Sequence, residues 1–97
     1  MDLKITLSDQ LLNGKINVTV CDLDDELKTA NVDIFISGKG FLKTMSVPKL
    51  GGEEQTVIFE DTPNTGKTHN VRATISPDGS TNVSDSDNKM IELPLKI

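Results

Sequence analysis

Seven acidic side chains fall in two short stretches: Asp22, Asp24, Asp25 and Glu26 in the first, Asp78, Asp85 and Asp87 in the second. Crowded carboxylates repel one another, and a Ca²⁺ ion taking about six to eight hard oxygens would relieve that repulsion. Asp85-Ser86-Asp87-Asn88 has the alternation that opens an EF-hand loop, but Met90 occupies the sixth position, where such a loop needs glycine. The competing reading is solvated charge that keeps the molecule soluble and protects sheet edges. The acids therefore pose a question about Ca²⁺, and no metal-ligand set is assigned to them.

Other reactive groups are few. Cys21 is the sole cysteine and His69 the sole histidine, and there is no Trp or Tyr. One cysteine excludes an internal disulfide and the cysteine-rich zinc modules. At the end of an alternating run, Cys21 reads either as a partly exposed reactive thiol or as a small apolar filler, and filling space is the commoner use. His69 has no cysteine nearby and no Ser-His-Asp spacing around it, so it reads as a turn or strand-edge histidine. Two carboxylates alone can do acid–base work, but nothing joins a nucleophile to a base. The chain reads as non-catalytic, with no catalytic or cofactor-binding residue and no cofactor. Asn17-Val18-Thr19 and Asn82-Val83-Ser84 match the glycosylation pattern; Asn82, in a polar stretch, is the better placed for a sugar.

Composition narrows the partners. The 97 residues carry 10 Lys+Arg against 15 Asp+Glu, a net charge of −5. That balance argues against non-specific binding to nucleic acid or to an anionic membrane. No apolar run approaches the ~20 residues of a membrane span. Three Phe are a thin supply of stacking platforms for a carbohydrate. The length fits one domain over residues 1–97. Met1 leads straight into alternating residues, with no basic and apolar leader or cleavage site. Such a start suits a cytosolic protein, or a domain excised from a longer chain; excision is the expectation adopted here.

The elements that must position these groups are strands. Leu3, Ile5 and Leu7 share one face of a first run, and Ile16, Val18 and Val20 one face of a second. Val32, Ile34 and Ile36 form a third, and a Gly38-Lys39-Gly40 hairpin leads into a fourth over 41–47, where Lys43 shares a face with Phe41, Met45 and Val47. Pro48 and Gly51-Gly52 read as a break. Val57 and Phe59, then Val71, Ala73 and Ile75, then Ile91 through Ile97 complete seven runs, with a long polar loop expected from Ser76 to Asn88. Pro94 marks the last run as an edge strand, because proline cannot donate to a ladder. Phe35 and Ile58 point away from the core face, as a contact surface or as scattered surface apolar residues.

Seven short runs between turn signals predict an all-β fold, an antiparallel sandwich. Antiparallel succession gathers the segments 22–29, 48–52 and 76–88 at the end where the chain enters. The remaining turns lie at the other end, and entry and exit sit at opposite poles.

The stretch from Ala30 to Glu60, followed by Gly66 to Lys89, resembles the CARDB family, the cell-adhesion-related domain of prokaryotic surface proteins. Leu50-Gly51-Gly52-Glu53 looks like the family's turn before a valine-rich strand. Gly66, His69, Val71 and Ala73 look like its next strand, and Asp78, Asp85, Asp87 and Asn88 like its acidic stretch. The resemblance implies an immunoglobulin-like module of a larger cell-surface or secreted protein, contacting neighbouring domains or another protein and monomeric when isolated. It brings no activity and no site residues. A stand-alone sandwich that binds Ca²⁺ or a carbohydrate weakly is the alternative.

Overall fold

The computed structural model describes residues 1–11, 14–60 and 62–94, apart from the side chains of residues 41 and 42. Seven strands follow in order: β1 (Leu3–Leu7), β2 (Ile16–Asp22), β3 (Lys28–Ile36), β4 (Gly40–Leu50), β5 (Gln55–Phe59), β6 (Lys67–Pro77) and β7 (Asp85–Leu93). They form two sheets, three-stranded β1-β2-β5 and four-stranded β4-β3-β6-β7, with every pairing antiparallel. The sheets pack face to face as a β-sandwich of 43 × 24 × 17 Å.

The period-two residues supply the core. Leu3, Ile5 and Leu7 of β1 and Ile16, Val18 and Val20 of β2 are buried against Val32, Ile34 and Ile36 of β3 and Val71, Ala73 and Ile75 of β6. Phe59, at the end of β5, is the largest fully buried side chain among the described residues. Side chains alternate between the faces of a strand, so each run gives one face to this layer and the other to solvent or to the sheet's outer surface.

Several boundaries differ from the sequence reading. β3 begins at Lys28, which leaves only residues 23–27 as the loop after β2. β4 runs through Pro48 rather than stopping there. Opposite β3, two residues of β4 (Pro48 and Lys49) stand where β3 has one, and Lys49 takes a φ of 53°. A bulge on an edge strand is where proline, with no N–H to donate, can sit. A second shift, between Ile34 and Phe35, leaves residue 42 as the extra one. Val47 is buried and Met45 packs on the core, whereas Lys43 is exposed at the rim, where a long stem lets the amine reach water.

The largest correction concerns the expected loop from Ser76 to Asn88. β6 extends to Pro77 and β7 starts at Asp85, so the loop spans only residues 78–84. Asp85 and Asp87 are strand residues. β7 is an edge strand as expected, but Pro94 lies just beyond it, and residues 95–97 of the expected run fall outside the described residues.

Candidate functional site

The loops sort to two poles as the alternation of strands requires. At one pole, the Asp22 N–H donates to Gly51 O (2.8 Å), Leu23 N–H to Asp2 O (2.9 Å) and Asp78 N–H to Thr29 O (3.1 Å). The chain start, the β2–β3 loop, the β4–β5 connection and the β6–β7 loop are thereby tied together. At the other pole, Thr62 Oγ1 donates to Gly14 O (3.1 Å) and Gly66 N–H to Leu93 O (2.6 Å).

Asp22 is the hub of the first pole. Its side chain is fully buried, and it closes β2 where the chain turns away. Oδ1 accepts from the N–H groups of Asp2 (2.9 Å) and Asp24 (3.1 Å), and Oδ2 from that of Glu26 (3.4 Å). Desolvation pushes the pKa of this carboxyl up, but the three backbone donors outweigh it and hold the group below the usual carboxylate range. Asp24 and Glu26 instead reach the Met1 ammonium, each at 3.0 Å. Hydrogen bonds to these two carboxylates push that ammonium's pKa up to about 10.

Asp25 bridges to the next loop. Its Oδ1 accepts from Gly52 N–H at 3.0 Å, and a Cβ at Gly51 would run into the same oxygen and into Leu27. Between these loops lies a shallow cleft of about 360 Å³, lined by Asp25, Leu27 and Lys49 together with residues 51–55. Asp25 (52°), Leu27 (57°) and Lys49 (53°) are the non-glycine residues with positive φ among those described, and all three line it. Non-glycine side chains held in the left-handed region are over-determined by their surroundings, and such positions concentrate where a surface has work to do. Leu23 and Leu27 stand 57% and 60% exposed beside these acids. The result is a fixed polar surface with two protruding apolar side chains.

Of the acids read from the sequence as one set, Asp22, Asp24, Asp25 and Asp78 do meet at this pole. Asp85 and Asp87 do not join them as loop residues. They lie on β7 and turn toward the three-stranded sheet, where Asp85 Oδ2 accepts from Ile5 N–H (3.0 Å) and Asp87 Oδ2 from Leu7 N–H (2.8 Å). Asp78 Oδ1 accepts from Asn31 Nδ2 at 3.3 Å. Among the described residues, no group of three His, Cys, Asp or Glu side chains could hold a metal ion.

The remaining candidates have structural neighbours. Cys21 is buried; desolvation, then the nearby Glu54 and Asp22 carboxylates, push its thiol pKa up, the opposite of what a reactive thiol needs. His69 Nδ1 lies 2.8 Å from Ser37 O and can only donate to it, which leaves Nε2 of the neutral ring to accept from Thr65 Oγ1 at 2.7 Å. That contact sets a hydroxyl on an imidazole whose ring is oriented by a main-chain carbonyl. Thr65 Oγ1 also accepts from Lys67 N–H (3.3 Å), so the group staples the β5–β6 loop to the β3–β4 hairpin. Asn82 is exposed in the 78–84 loop, whereas Asn17 sits within β2 with its Nδ2 donating to Lys15 O (2.9 Å). Phe35 (37%) and Ile58 (44%) are partly exposed on the outer faces.

Leu23, Leu27 and Lys49 were not singled out by sequence reasoning. A signal for the two leucines existed: both fall outside every period-two run, in an acidic segment that offers them no core face. No family model matches the chain, and no curated protein or solved structure matches it either.

Proposed function

We propose that this chain is a non-catalytic structural or adhesion module of the CARDB type, an immunoglobulin-like sandwich acting within a larger cell-surface or secreted protein. The observation that carries the reading is geometric. The Asp2 N–H and C=O are tied to Asp22 and Leu23 at one pole, while Leu93 and Gly66 meet at the other, so the strands lead the chain from end to end of a 43 Å body. A sandwich traversed end to end can be threaded between neighbours without either neighbour having to double back. The resemblance around Leu50-Gly51-Gly52-Glu53 supports the same reading, since these residues form the connection at which β4 hands over to β5.

In this reading the first pole is the contact surface. Leu23 and Leu27 supply the apolar contact, and the surrounding carboxylates select a partner carrying basic groups at its rim. The experiment is to raise antibodies against the folded domain and apply them to intact cells that make the protein. Decoration without lysis is the expected result, and signal only after lysis would overturn the placement. Replacing Leu23 and Leu27 with Asn should then abolish capture of the partner while leaving the melting temperature within a few degrees of the parent.

A further inference from the structure

We infer that β1 is an exchangeable strand: the seat it occupies accepts the β1 of a second copy, and the product is a reciprocally swapped dimer. The inference goes beyond the module reading and does not depend on it.

The seat recognises main chain. On one side β1 pairs with β2 from Leu3↔Asp22 to Leu7↔Val18. On the other side no strand pairs with it among the described residues; Asp85 and Asp87, two residues apart on β7, receive the N–H groups of Ile5 and Leu7, two residues apart on β1. Below it the core takes Leu3, Ile5 and Leu7. At its start Asp22 receives the Asp2 N–H. The attachments that hold this strand to the rest of the fold are made through its backbone to groups of β2 and β7, and the Lys4 amine pairs with Asp2 of the same segment (3.5 Å). Any chain offering the same backbone with apolar residues at alternate positions satisfies the seat, and a second copy offers the identical segment.

The connection permits exchange. β1 ends at Leu7 and β2 begins at Ile16, with the Ser8 N–H still donating to Asn17 O (3.0 Å), and the hinge that exchange requires falls in the chain between Ser8 and Ile16. Opened, this hinge would carry β1 onto a neighbouring body, where the same β2 ladder, core contacts and carboxylates would re-form. The closed monomer and the swapped dimer then share all contacts outside the hinge, so concentration decides between them.

The cross-strand pair Thr6↔Thr19 provides the readout, since both side chains lie off the core face. The full chain carrying Thr6→Cys, Thr19→Cys and Cys21→Ala is refolded from denaturant at micromolar and at millimolar concentration, then oxidised. Disulfide-linked peptides are mapped on each size fraction. In the closed monomer the 6–19 disulfide is intramolecular; in the exchanged dimer the same link joins two chains. The expected result is a covalent dimer containing only 6–19 links, its ratio to monomer rising roughly tenfold for each tenfold rise in refolding concentration. Shortening the hinge by removing residues 10–13 should turn the dimer into the main product. A chain that gives only intramolecularly linked monomer at millimolar concentration overturns the inference, as does a dimer joined through 6–6 or 19–19 links.

Discussion

Replacing Asp22 with Asn would keep one acceptor oxygen and turn the other into an NH₂ facing the Glu26 N–H. One of the three backbone donors that meet at this buried group would then lose its acceptor, and donor would oppose donor. The expected loss is roughly 5–10 °C in melting temperature, read by circular dichroism. The pH dependence has a definite sign. The folded carboxyl titrates below its ordinary value, so its stabilisation is present above the unfolded-state pKa, roughly 4. It disappears as the pH falls through the lower folded value. Thermal melts between neutral and acidic pH should show a steeper decline for the parent than for Asp22→Asn. At Cys21 the expectation is kinetic: a thiol reagent should leave the native protein unmodified at neutral pH and label it stoichiometrically in denaturant, because burial disfavours the thiolate.

Among the strands, β1 and β7 carry the sharpest prediction. Replacing Asp85 and Asp87 with Ala leaves the Ile5 and Leu7 N–H groups without their acceptors, at a cost of about 1–3 kcal/mol each. Hydrogen exchange should accelerate selectively at Ile5 and Leu7, with the β3–β6 ladder protected as before. The same pair explains what the sequence could and could not reveal. Strands β1, β2, β3 and β5 announce themselves by apolar alternation, since one face of each meets the core. The first half of β7 reads Asp-Ser-Asp-Asn-Lys, with no apolar residue on either face, and looks like a loop. Two of its inward positions, Asp85 and Asp87, hold carboxylates that meet the bare amides of an edge strand and not a hydrophobic layer. That requirement comes from a strand 80 residues away and leaves no trace in local periodicity. The poles were legible, because antiparallel succession alone places them. The cleft around Asp25, Leu27 and Lys49 was not, because positive φ at these residues arises from loop-to-loop packing. Gly51 belongs to the same level: Gly51→Ala should displace Asp25 from the Gly52 N–H and lower stability by about 1–2 kcal/mol in urea titrations.

At the scale of the molecule, a chain of this length has a total stability of about 5–15 kcal/mol. Phe59→Ala, at the largest buried side chain, is expected to remove about 3–5 kcal/mol, enough to leave a substantial unfolded fraction at physiological temperature if the parent sits at the lower end. Urea unfolding should show the midpoint falling with the slope unchanged, the mark of lost stability without a change in the surface exposed. Core truncation would thus act on the entire sandwich, whereas changes at Leu23 and Leu27 would leave it folded.

The bonds from Ile5 to Asp85 and from Leu7 to Asp87 also bear on synthesis. A ribosome makes the first strand of this protein long before the residues that cover its edge. At about 5–20 residues per second, those 80 intervening positions take roughly 4–16 s. Throughout that interval the nascent chain displays an uncovered row of amides, and neighbouring polysomes translating the same message would bring such rows within reach of one another.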